Sequence, residues 1–190
     1  MKKLSKITES IWSDMQDRSS GEIVRKEDKI TTNEELRYKI LGLYKEQGEG
    51  ETLDVSSLTN SIKCDDFSYI FNGLTEVKYI IGLENWDVSN VKNMECMFWD
   101  CKKFNSDLSN WDVSGVKNMA GMFEECEKFN CDLSKWDVSN VDNMLDMFRD
   151  CIKFNCDLSK WDVSSVKNMV EMFDGCKSLK QIPSWYYTHS

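Results

Sequence analysis

Large apolar residues recur along most of this chain in two alternating registers. In Leu108-Ser109-Asn110-Trp111-Asp112-Val113 the Trp and Val alternate with polar residues, a period of two that predicts a short strand with one buried face. From Asn118 onward Met119, Met122, Phe123, Cys126 and Phe129 recur at spacings of three and four, which predicts one apolar face of a short helix or helical turn. Asn93, Asn118, Asn143 and Asn168 stand at the start of each such stretch as expected N-caps. Asp146 and Glu171 lie three residues beyond two of them, in the manner of a capping box.

The two registers belong to one repeating unit. W-D-V-S-x-V-x-N-M-x-x-M-F-x-x-C begins at Trp86, Trp111, Trp136 and Trp161, a period of 25 residues. A degenerate copy precedes these, with Leu53-Asp54-Val55-Ser56 for W-D-V-S and Asp66-Phe67-Ser68-Tyr69-Ile70-Phe71 for N-M-x-x-M-F. One unit alone cannot offset its ordering entropy, at ~1–2 kcal/mol per residue, with a handful of apolar side chains worth ~1.5–3 kcal/mol each. The copies must therefore stack. The expected fold is an α/β repeat, a leucine-rich-repeat-like solenoid of short strands and helical turns. Its regular coils start at Trp86, Trp111, Trp136 and Trp161, within a repeat domain of 52–190 whose C-terminal cap is 177–190.

The run W-D-V-S-N-V-x-N-M-x-x-M-F-x-x-C, over about residues 53–187, closely resembles the BspA-like leucine-rich repeats, a bacterial and mycoplasmal surface protein repeat. The resemblance implies a right-handed solenoid, a role in cell adhesion or protein binding, and a place at the cell surface.

Residues 1–51 lack the repeat and read as a small α-helical N-terminal head. Leu4, Ile7, Ile11 and Met15 predict an amphipathic helix over 4–17. Thr31 followed by Glu34, with Leu36, Ile40, Leu43 and Tyr44 on one face, predicts a capped helix of about 33–46 that Gly48 and Gly50 stop. This head is expected to cover the apolar end of the first coil; docking into a larger assembly is the competing reading. No apolar run of signal-peptide type follows Lys2 and Lys3, and no stretch of ~18 apolar residues occurs, so the chain as written is expected to be cytoplasmic and not membrane-inserted.

Charge narrows the partners. Lys and Arg number 24 against 33 Asp and Glu, a net charge of -9, which argues against nucleic acid as a ligand. Residues 1–64 carry a net -1 and residues 65–190 a net -8, so electrostatic selection falls to the repeats. The single histidine is His189, and no Gly-rich phosphate loop, H-E-x-x-H or G-x-S-x-G motif occurs, so no enzyme activity and no cofactor are expected.

Cys101, Cys126, Cys151 and Cys176 share one position in successive copies. They read either as small buried hydrophobes or as a thiol ladder for metal or cross-linking. The C-x4-C pairs do not share one register and lack structural-zinc spacing, so no metal site is expected. The tryptophans and methionines read as core. Alternation then points Asp87, Asp112, Asp137 and Asp162 outward in an acidic row, with Lys135 and Lys160 two residues before their Asp on the same face. These six residues are the candidate partner-binding surface; the competing reading of the acidic row is that each carboxylate accepts backbone N–H groups at the strand-to-turn bend. The expected function is a non-catalytic, monomeric module that binds a protein or surface polymer. The alternative is a structural component of a larger assembly, docked through the N-terminal helices.

Overall fold

The computed structural model describes residues 29–189. Its elements are α1 (Asn33–Glu46), β1 (Thr52–Asp54), a 3-10 turn (Ser56–Leu58), β2 (Tyr79–Ile81), a second 3-10 turn (Leu83–Asn85) and a four-residue helix, α2 (Tyr186–His189). β1 and β2 pair in parallel, with Thr52 opposite Tyr79, Leu53 opposite Ile80 and Asp54 opposite Ile81. The expected helix over 4–17 lies outside the described residues.

This inventory overturns the expected α/β leucine-rich-repeat-like solenoid of short strands and helical turns with a helical head. Among the described residues there is one long helix and one two-stranded sheet, and the regular copies contain neither strand nor helix. The residues read as a strand form two consecutive tight turns instead: Trp111 N–H donates to Leu108 O at 3.1 Å and Val116 N–H to Val113 O at 2.9 Å. The cause is local side-chain chemistry. Asp107 and Asp112 each accept the N–H two residues on, from Ser109 at 2.9 Å and Ser114 at 3.1 Å, a bond that holds the backbone in a turn.

The residues read as a helical turn are a different structure again. Met94, Cys96, Phe98 and Asp100 donate their N–H groups to Asn118, Ala120, Met122 and Glu124 of the next copy at 2.8–3.0 Å. The residues between them close i→i−3 turns, as in Trp99 N–H to Cys96 O at 3.1 Å. This alternation needs a left-handed residue at every fourth position: Cys96 and Asp100, then Gly121 and Glu125, Asp146 and Asp150, Glu171 and Gly175. An α-helix has no such residues, and the apolar spacing of three and four does not separate the two conformations. The expected N-cap asparagines do accept the N–H two residues on, at 3.1–3.2 Å, but each of them opens a ladder of turns and not a helix. Asp146 and Glu171 sit at φ 54° and 55°, outside any capping box.

Parallel bridges nonetheless hold the copies in register, from Asp66 to Asn93, Asn118, Asn143 and Asn168. One continuous core from Ile30 to Phe173 runs through them. Phe71, Phe98, Phe123, Phe148 and Phe173 stack face to face at 5.3–5.9 Å, and Phe104, Phe129 and Phe154 form a second column. The columns touch, with 4.1 Å between Phe123 and Phe129. The repeated Trp, Val and Met residues are core except at the last copy, where Val166 is half-buried. The repeated indoles after Trp86, and Trp185 beyond them, donate to earlier carbonyls, Trp111 to Leu83, Trp136 to Leu108, Trp161 to Leu133 and Trp185 to Leu158, at 2.9–3.2 Å.

α1 matches the helix expected over 33–46, with its cap one residue later than expected. Thr32 Oγ1 accepts Glu35 N–H at 3.2 Å, and Thr31 N–H donates to Glu35 Oε2 at 3.2 Å. Leu36 and Ile40 are buried, while Leu43 and Tyr44 pack on the core's margin.

Candidate functional site

A second recurring run, F-N-x-D-L-S at 104–109, 129–134 and 154–159, builds a recessed polar surface. The Phe and Leu are buried and anchor each run. The Asp between them turns the backbone, with Asp107, Asp132 and Asp157 accepting Ser109, Ser134 and Ser159 N–H at 2.9–3.0 Å. That bond, to the backbone of the serine, is the main reason these three carboxyls titrate below the usual aspartate range.

Side-chain ladders then run from copy to copy. Asn105, Asn130 and Asn155 accept through Oδ1 the N–H groups of Asn130, Asn155 and Lys180 at 2.8–2.9 Å. Cys131 Sγ accepts Leu108 N–H, and Cys156 Sγ accepts Leu133 N–H, each at 3.2 Å. The same thiols approach Asp107 and Asp132 at 3.4 and 3.5 Å. Burial pushes both thiols up to about 11, so they remain protonated at neutral pH and are poor nucleophiles.

Between these ladders lies a groove of about 660 Å³, lined by Asn130, Cys131 and Asp132 and their counterparts Asn155, Cys156 and Asp157, with Lys135 and Lys160 at its rim. A neighbouring hollow of about 340 Å³ continues it one copy earlier, past Asn105 and Asp107. The surface offers ammonium and amide donors beside carboxylate acceptors, which suits it to hydrogen-bond and ion-pair recognition.

The residues expected at the binding surface fall in two places. Asp87, Asp112, Asp137 and Asp162 are exposed, in one row, and each is engaged in its own turn. Their Oδ1 atoms accept Ser89, Ser114, Ser139 and Ser164 N–H at 3.0–3.1 Å, and the first three also accept the serine hydroxyl at 2.6 Å. Hydrogen bonds from those serines hold Asp87, Asp112 and Asp162 below the ordinary carboxylate range. Lys135 and Lys160 are placed with Asp132 and Asp157 in the groove. The apolar pattern takes only the Phe and Leu of F-N-x-D-L-S and passes over its Asn and Cys; the recurrence of the whole run is the signal that marks them.

Cys101, Cys126, Cys151 and Cys176 point inward and donate to Phe71, Phe98, Phe123 and Phe148 carbonyls at 2.9–3.1 Å. All eight cysteines are free thiols, and among the described residues no three His, Cys, Asp or Glu side chains are grouped to hold a metal ion. No described helix is long and apolar enough to cross a membrane.

No curated protein and no solved structure matches the chain. A family model does match, over residues 65–186, which takes in the end of the first copy and all the regular ones. The chain therefore belongs to the family described as Mycoplasma protein of unknown function, DUF285.

Proposed function

We propose that this protein is a non-catalytic binding module of the adhesion type, and that it recognises an extended segment of another protein along the F-N-x-D-L-S groove. The supporting observation is the groove's construction: in-register copies present the same Asn, Cys, Asp and Lys side by side over about 660 Å³. Such a surface repeats one set of contacts along a line, which favours a partner lying extended across copies over a compact small molecule. Asp112, Asp137 and Asp162 are turn formers in a separate exposed row.

A photo-crosslinking residue placed at Ser134, on the groove, and in a separate variant at Ser164, on the acidic row, tests the reading in extracts of the native host. The expected result is a polypeptide adduct at position 134 that disappears when Lys135→Glu and Lys160→Glu are added. Equal adducts at both positions, an adduct indifferent to the charge reversals, or no polypeptide adduct at 134 would overturn it.

A further inference from the structure

The ladder that joins the copies has a direction. Along the run of turns alternate amides of each copy donate to carbonyls of the next, so this ladder ends in unused carbonyls on one side and unused amides on the other. The Lys92, Lys117, Asp142 and Lys167 amides just before it donate the other way. The carbonyl end is guarded by α1. Asn33 Nδ2 donates to Ser68 O at 2.6 Å and Asp66 O at 3.2 Å, and the Arg37 guanidinium donates to Asn72 O at 3.3 Å and to Tyr69 O.

Among the described residues the amide end has no such guard. Met144, Asp146, Phe148 and Asp150 donate to Asn168, Val170, Met172 and Asp174 at 2.7–3.0 Å. Their counterparts one copy on, Met169, Glu171, Phe173 and Gly175, meet no acceptor among the described residues. Val170 is 60% exposed, whereas its counterpart Ala120 is buried. Trp185 and Tyr186 pack on the Phe173 ring at 6.1 and 5.3 Å and so cover the apolar end of the core, and the Tyr186 hydroxyl lies by the Met172 backbone, while the four amides above find no acceptor among the described residues.

We propose that the Met169–Gly175 amide edge docks the Asp66–Asn72 carbonyl edge of a second copy of this chain, and that α1 is the detachable guard that keeps copies apart. The occupant follows from shape and polarity. A row of donors needs a row of carbonyls in the same turn conformation, and the first copy carries the required pair of left-handed residues. Tyr69 and Gly73 have φ 59° and 77°, against 55° and 71° at Glu171 and Gly175. By the bridge register, Met169, Glu171, Phe173 and Gly175 meet Asp66, Ser68, Ile70 and Asn72. The contact is head to tail and does not close, so association is open-ended. The net charge of -9 opposes it, and salt relieves that opposition.

The test compares the full chain, Asn33→Ala/Arg37→Ala, and that double variant with Val170→Asp, by light scattering after gel filtration at rising concentration in high salt. The double variant is expected to reach a weight-average mass at least about twice the monomer's with no fixed stoichiometry, and Val170→Asp to return it to monomer. A folded double variant that stays monomeric, or association that Val170→Asp leaves unchanged, overturns the proposal. If the double variant does not give the wild-type circular dichroism spectrum, Arg37→Gln is read by amide exchange at 169–175. Exchange slowing by about fivefold or more with concentration supports the docking, and anything less overturns it.

Discussion

The first copy of the repeat, residues 52–85, and the regular copies after it place apolar residues at corresponding positions, yet only the first contains strands. The difference lies in a few side chains. Where the regular copies have Phe104-Asn105-Ser106, the first copy has Tyr79-Ile80-Ile81, so the Asn105 Oδ1 that takes the next copy's N–H has no equivalent at Ile80. With β-branched Ile80 and Ile81 in place of Asn105 and Ser106, the backbone pairs directly with its neighbour and β1 and β2 form. Asp54, which is followed by a serine, still makes the turn bond, to Ser56 N–H at 2.9 Å. A side-chain acceptor present at Asn105 and absent at Ile80 separates the side-chain ladder of the regular copies from the paired strands of the first.

The largest break in this comparison should come from the ring columns, which only the regular copies have in full. Phe123 lies against Phe98, Phe129, Phe148 and Trp136. Phe123→Ala should lower unfolding free energy by about 3–5 kcal/mol in urea titrations, while Ile81→Ala on the exposed face of β2 should stay within about 0.5 kcal/mol.

Next come the left-handed positions. A Cβ at Gly82, φ 88°, would sit 2.7 Å from the Ser56 backbone, so Gly82→Ala should cost at least ~1–2 kcal/mol. Gly121 occupies the position that Asp146 fills at φ 54° in the next copy, and its Cβ would meet only the Cys96 thiol and the movable Glu124 carboxylate within 3.4 Å. Gly121→Asp should therefore cost less than Gly82→Ala, and thermal unfolding of the two variants ranks them.

The smallest effect is acid sensitivity. Asp87, Asp107, Asp112, Asp132, Asp157 and Asp162 in the regular copies titrate below their unfolded value, chiefly through bonds from the serine two residues on, as does Asp54 in the first copy. A depressed carboxyl pKa contributes stability that is complete above the unfolded value near 3.8 and is lost as pH falls through the folded one. Melting temperature should therefore fall as pH drops from about 4, and Asp112→Asn, which no longer titrates, should flatten that slope slightly. An unchanged slope would remove the turn bonds as its cause.

The amino-acid pattern reveals the 25-residue period, the buried Trp, Val, Met, Phe and Cys positions, and α1. Backbone conformation inside the copies is not legible in it. Met119, Met122, Phe123 and Cys126 face inward whether the segment is helical or a ladder of tight turns, and the deciding bonds run to the next copy at Asn143 and Met147. The alternation of Trp111 and Val113 fits a strand until Asp112 and Ser114 are weighed as backbone competitors. The groove escapes notice because Asn130 and Cys131 are polar or small and leave no mark in an apolar pattern. Spacing alone sets Lys135 and Lys160 against Asp137 and Asp162, whereas the turns carry them beside Asp132 and Asp157.

The directional ladder also bears on how such a gene can change length. Each copy accepts on one side what it offers on the other, so in-frame gain or loss of one whole unit rejoins like with like. The α1-guarded end and the Trp185 end are then left as they were. Recombination between misaligned units is therefore a tolerated event, whereas a deletion of part of a unit breaks the phase of every bond downstream.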